Sequence, residues 1–246
     1  MKKSIFIGLL FVFLMLTCCS NVSINTKTID DQYASDILRN IMATSDQDGL
    51  CYYMCPGEKV YSEDVPLRFK KSNIYSAFPD LFEDRRVQLD DDWDTYRYVD
   101  ADSVQEHLNM MYGQDVKDDF DSFSANGYGM EYDAETGEYW GYVAAGGMNP
   151  RDFVYEYSYK ELKNDILQIY ARVAYVNCDD YYNKIVSLYS SPDKTEDSYI
   201  TTLTVENVQR FTVDSYLLQE KGLKYLFSFN KSPDGSYYWV SSEPVK

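Results

Sequence analysis

Histidine is all but missing from this chain: His107 is the one copy in 246 residues. Catalysis by a Ser–His or Cys–His pair would have to run through it, and no Gly-x-Ser-x-Gly elbow supplies a nucleophile. Four residues before Met111, His107 sits at the edge of an apolar helical stripe, where a histidine with a local hydrogen bond is expected. Zinc is poorly served, because a structural site wants four Cys or His ligands and there is no second cysteine pair. No glycine-rich loop cradles a phosphate. Basic side chains are scarce too, 23 against 40 acidic ones. So acidic a surface repels phosphate backbones and anionic lipid, which excludes nucleic acid as a partner. No internal repeat is visible. The apolar run at residues 5–16, broken by Gly8, falls short of the roughly 20 residues that span a membrane.

The neighbours of that run give it a meaning. Met1-Lys2-Lys3-Ser4 is basic, the apolar stretch follows, and Thr17-Cys18-Cys19-Ser20 closes it with small residues. These are the three parts of a secretory signal peptide, which is excluded from the fold. Leu16-Thr17-Cys18-Cys19 resembles the bacterial lipobox, with Cys18 standing where Gly or Ala is more usual. The resemblance implies cleavage after residue 18, lipid attachment at Cys19, and a mature protein anchored outside the cytoplasmic membrane. Two acyl chains on one residue meet the requirement for stable anchoring that a single chain fails. Removing residues 1–18 takes away Lys2 and Lys3 and no acid. The 23 basic side chains less those two leave 21 against 40, a formal charge of −19. Residues 19–29 then read as lipidated N-terminus and polar tether, and 30–246 as one extracytoplasmic domain.

The remaining cysteines, Cys51, Cys55 and Cys178, are odd in number, so no disulfide framework is expected. On a strand Cys51 and Cys55 would lie about 13 Å apart, beyond bridging range. The carboxylates beside Cys178, Asp179 and Asp180, disfavour a thiolate. Calcium is the cation the dense acidic runs could take, at residues 90–94 and 115–121. Neither matches an EF-hand loop, and both are expected to be solvated. No cofactor and no metal site is expected.

What is abundant is aromatic surface: 25 Tyr, 12 Phe and 3 Trp, with apolar residues at 45%. That supplies a core. A helix is expected over 31–43, from the stripe Tyr33, Ile37, Leu38, Ile41 and Met42 with Asp30 as N-cap. Residues 50–93 are irregular and punctuated by proline, so short strands and turns are expected there. A second helix, capped by Asp100 or Asp102 and closed by Gly113, carries Val104, Leu108 and Met111. Beyond it the period becomes two. Residues 128–132 and 138–143 flank a turn ending at Gly137, and Phe153, Tyr155, Tyr157 and Tyr159 alternate along a strand. Leu167, Ile169, Ala171, Val173 and Tyr175 share one face of the next. Further strands are expected at 184–190 and 199–205. Leu223, Tyr225, Phe227 and Phe229 open a last hairpin through Pro233-Asp234-Gly235 to 237–241.

Helices mainly before 125 and antiparallel strands mainly after it give an α+β fold: two helices packed on a curved antiparallel sheet of hairpins. In outline it resembles the cone-shaped NTF2-like and cystatin-like domains of many bacterial lipoproteins, an architectural likeness that carries no function. Tyr and Trp suit sites apolar at one end and wet at the other. Trp140 and Tyr142 on one hairpin, and Tyr237 and Trp239 on the other, are therefore the candidate ligand contacts. The function expected is a non-catalytic binding or accessory module with a protein or glycan ligand. The alternative is a glycan hydrolase built on paired carboxylates, for which Glu131, Asp133, Glu135 and Glu138 cluster on one hairpin.

Overall fold

The computed structural model describes residues 29–43, 53–89, 92–125, 128–142, 151–209 and 211–245. Helix α1 (Asp31–Met42) turns Ala34, Leu38, Ile41 and Met42 inward. A second helix, α2 (Leu67–Ala77), stands where irregular strands and turns were expected. Its buried side chains are Lys70, Lys71, Ser72 and Asn73 beside Ile74 and Tyr75, so polar residues interrupt the apolar period that signals a helix. Asn73 Nδ2 donates to the carbonyls of Asn40 (3.1 Å), Ile41 (3.3 Å) and Ala43, and Oδ1 accepts from Tyr112. One side chain thus satisfies the carbonyls that end α1. Helix α3 (Ala101–Tyr112) has the expected caps: Asp100 accepts from Ser103 N at 2.9 Å, and Gly113 takes φ +100°. A short fourth helix, α4 (Ser215–Lys221), was not expected; Asp214 caps it through Tyr216 and Leu217 N–H.

The strands in chain order are β1 (Val60–Tyr61), β2 (Glu83–Leu89), β3 (Asp92–Asp100), β4 (Phe123–Ala125), β5 (Tyr128–Asp133) and β6 (Glu138–Tyr142). There follow β7 (Phe153–Lys163), β8 (Ile166–Asp180), β9 (Ile185–Tyr189), β10 (Tyr199–Thr204), β11 (Leu223–Lys231) and β12 (Tyr237–Pro244). The fold is α+β and the pairing antiparallel, but the strands divide between two sheets. One runs β1-β12-β11-β8-β9-β10, with β7 on the other flank of β8; the other runs β2-β3-β6-β5-β4. All of these elements belong to one compact unit, Asp31–Lys246.

Strand β8 is the spine of the first sheet. Leu167, Ile169, Ala171, Val173 and Tyr175 are all fully buried, and Phe229, Phe227 and Tyr225 of β11 stand opposite the first three. Each large apolar side chain buried this way contributes about 1.5–3 kcal/mol. The opposite face of β8 is buried at its far end, where Ala174 and Val176 join Val154, Val186, Leu188, Val208, Phe211 and Leu218. Asn164 and Asp165 both adopt positive φ, 52° and 64°, in the two-residue turn that joins β7 to β8, as a type I′ hairpin requires. Buried hydroxyls strap residues 54–57 to this sheet. Tyr225 accepts from Gly57 N (2.7 Å), Tyr175 donates to the Cys55 carbonyl (2.6 Å), and Ser242 to that of Met54.

Candidate ligand-binding face

The candidate contacts separate on burial. Trp239 is fully buried and Tyr237 only 7% exposed. Trp239 pairs with Phe229 across β11–β12 and meets Tyr112 of α3 edge to face at 6.2 Å. Both side chains are core between β12 and its neighbours, which corrects their assignment as ligand contacts. Trp140 is partly exposed on β6. Tyr142 ends the same strand, its side chain outside the description, and Cys19 lies outside the described residues altogether.

Trp140 belongs to a face that the sequence reading did not assemble. In the second sheet Val99, Met130 and Tyr139 are buried, and Tyr75 of α2 bonds Arg97 on that same face. Register then sets the other face row by row: Glu83 opposite Tyr98, Tyr98 opposite Trp140, Trp140 opposite Glu131. The next row places Arg85 opposite Tyr96 and Tyr96 opposite Tyr142. Directly opposed side chains have their Cβ atoms about 4.5–5.5 Å apart. The rings of Tyr96 and Trp140 lie 5.5 Å apart. The Arg85 guanidinium lies 4.5 Å over the Tyr98 ring, grips both oxygens of Glu138 at 2.8 and 2.9 Å, and reaches Glu83 at 3.1 Å. The bonds to Glu138 first, and to Glu83 second, hold the Arg85 pKa above its usual value. The sheet is tight at this point: a Cβ on Gly141 would fall 2.5 Å from Met130 Sδ and 2.9 Å from the Gly129 carbonyl.

The cluster around Lys71 is satisfied from within. Lys71 is fully buried and donates to Asp118 (3.1 Å), Asp119 (2.8 Å), the Asp121 carbonyl (2.6 Å) and Tyr139 (3.2 Å). Within the acidic run at 115–121 the Asp118 side chain is the exception to solvation, 1% exposed and clamped to α2, while Asp115, Asp119 and Asp121 stay exposed. Desolvation opposes the Asp119 carboxylate, but Lys71 and the Asp121 N–H outweigh it and hold its pKa below the usual range. Desolvation, then the Asp118 bond, pushes the Tyr139 phenol up. Asp90 and Asp91 lie outside the described residues. Among the described residues no three His, Cys, Asp or Glu side chains gather as metal ligands.

The hairpin carboxylates stay together, Asp133 opposite Glu138 and Glu131 on the same face. Glu138 is engaged by Arg85, and the carboxyl that desolvation pushes upward is Asp152, in the chain leading into β7. His107 bonds the Ser103 carbonyl at 2.8 Å and packs on Phe78, the local role expected of it. Desolvation and then Asp179 and Asp180 raise the Cys178 pKa, against a reactive thiolate. A groove of about 800 Å³ runs beside β10 over Leu203, Val205, Phe211 and Leu217, and its Arg151 is bonded to the Phe211 carbonyl at 2.8 Å.

No known protein family, curated protein or solved structure matches the chain. Among the described residues no helix is long and apolar enough to cross a membrane.

Proposed function

We propose that this chain is an exported, lipid-anchored module that binds a protein or glycan ligand without converting it, through the exposed face of the second sheet. The anchor rests on the basic start, the short apolar run and Leu16-Thr17-Cys18-Cys19. The observation that carries the binding role is the row Tyr98–Trp140 on the outer face of the second sheet, flanked by Glu83 and Glu131. Aromatic side chains of this kind present large rigid contact area at small entropic cost and dominate many interfaces. A hydrolase would need one carboxyl held protonated beside a second, whereas Glu138 is locked as an ion pair with Arg85.

The test has two arms on the full-length chain. Cells fed a radioactive fatty acid should label the protein and its Cys18→Ser variant but not Cys19→Ser; label on Cys19→Ser would remove the anchor. The purified protein should turn over no member of a glycan panel, and Trp140→Ala should weaken ligand retention about two- to fivefold, as about 0.5–1 kcal/mol at a partly exposed ring implies. Glycan cleavage lost in Glu131→Gln or Glu138→Gln would replace the binding role with the hydrolase.

A further inference from the structure

The row Glu83–Tyr98–Trp140–Glu131 has a near-mirror composition: carboxylate, ring, ring, carboxylate. Its two halves differ in what lies beside the ring, Tyr96 being 5.5 Å from Trp140. Over Tyr98, between Glu83 and Glu138, sits the guanidinium of Arg85. Over the other half no cation is placed among the described residues, and there the exposed Glu131 carboxylate has no ion pair or hydrogen bond. The fold itself thus shows what this surface holds well, a planar cation stacked on a ring and paired with carboxylates. Guanidinium has that shape, and Trp is a better platform for it than Tyr.

We infer that the Trp140–Glu131 half takes an arginine from a basic segment of a partner protein. This rests on the reading of the second sheet as a binding face and names the class of its partner. Charge complementarity decides the occupant. Among the described residues the face carries Glu83, Asp94, Asp100, Glu131, Asp133 and Glu138 against Arg85 alone, on a chain of formal charge −17. A second copy of this chain would be repelled, and an uncharged glycan would leave those carboxylates unanswered. The carboxylates are also spread out. Glu83 and Glu131 are three strand spacings apart, about 14 Å, which suits several basic side chains along one segment better than a single small cation.

The probes are fluorescent nona-arginine, nona-lysine and a neutral glucose hexasaccharide, titrated onto the full-length chain in non-ionic detergent at 50 and 300 mM NaCl. Nona-arginine should bind more tightly than nona-lysine and weaken with salt, since rim charges are screened over about 10 Å at 0.1 M. Trp140→Ala and Glu131→Gln should each weaken it about two- to fivefold, the scale of an exposed cation–ring contact. Trp140→Phe, which keeps a ring and guards against a folding defect, should fall between. Glu196→Gln removes the same charge from the loop between β9 and β10 and should change nothing. Equal losses in Glu131→Gln and Glu196→Gln would reduce the effect to diffuse attraction and overturn the inference. Hexasaccharide binding lost with Trp140, while nona-arginine is indifferent to it, would keep the face and overturn the partner class. Indifference of every probe to Trp140 would overturn the binding face as well.

Discussion

Lys71 shows how a charge can sit in a core without being a site. Its ammonium meets two carboxylates, a carbonyl and a phenol, so nothing is left over for a ligand. Replacing such a pair wholesale with apolar groups can be neutral, but removing one member strands the other in a dry interior. Lys71→Met is therefore expected to destabilise the protein by about 3–5 kcal/mol, read by urea denaturation at pH 7; a loss below about 1 kcal/mol would mean Asp118 finds water. Asp152 works in the opposite sense. Desolvation raises its folded pKa above the unfolded value of about 3.9, so the folded state holds that proton more tightly. Its contribution is most favourable below pH 4 and is lost as pH climbs through the folded pKa. Asp152→Asn should accordingly raise the melting temperature at pH 7 and leave it unchanged at pH 3. The same rise at both pH values would place the effect in packing instead.

Among the elements, those with local chemistry were legible in the sequence. Asp100 and Gly113 bound α3 because a carboxylate N-cap and a left-handed glycine act on their own neighbours. The period of two in β8 places five side chains in the core for the same reason. Helix α2 was illegible because Lys71, Ser72 and Asn73 are among its inward side chains, and only distant partners make that tolerable: residues 118–121, the Ser124 carbonyl and the end of α1. Asn73 is the most exacting of these. Asn73→Ala would take their Asn73 partner from the Ile41 and Ala43 carbonyls and the Tyr112 hydroxyl, at about 1–3 kcal/mol per stranded group. We expect a loss of about 3 kcal/mol overall with circular dichroism near 222 nm reduced before the main transition. An unchanged transition would show the end of α1 to be satisfied by other means.

At the scale of the molecule, the division into two sheets escaped the sequence because it depends on which strands meet. The pairing of β3 with β6 joins residues some forty positions apart, and no local pattern specifies it. The candidate site inherits that difficulty. Trp140 was visible as an aromatic on a hairpin, yet Tyr96, Tyr98 and Arg85 become its companions only through that register. Trp239 was legible as a strand aromatic, but not as core, since it is the arrival of α3 that covers the ring.

The central stretch of β8 is flanked by β7 on one side and by β11, then β9, on the other. Its backbone amides cannot meet solvent by fraying at an edge; they must wait for the whole sheet to open. In deuterated buffer the amides of residues 167–175 should therefore be the last to exchange, at a rate set by global unfolding. Those of the three-residue outer strand β4 should exchange long before. The slowest-exchanging amides would then give the stability of the intact molecule directly, without a denaturant.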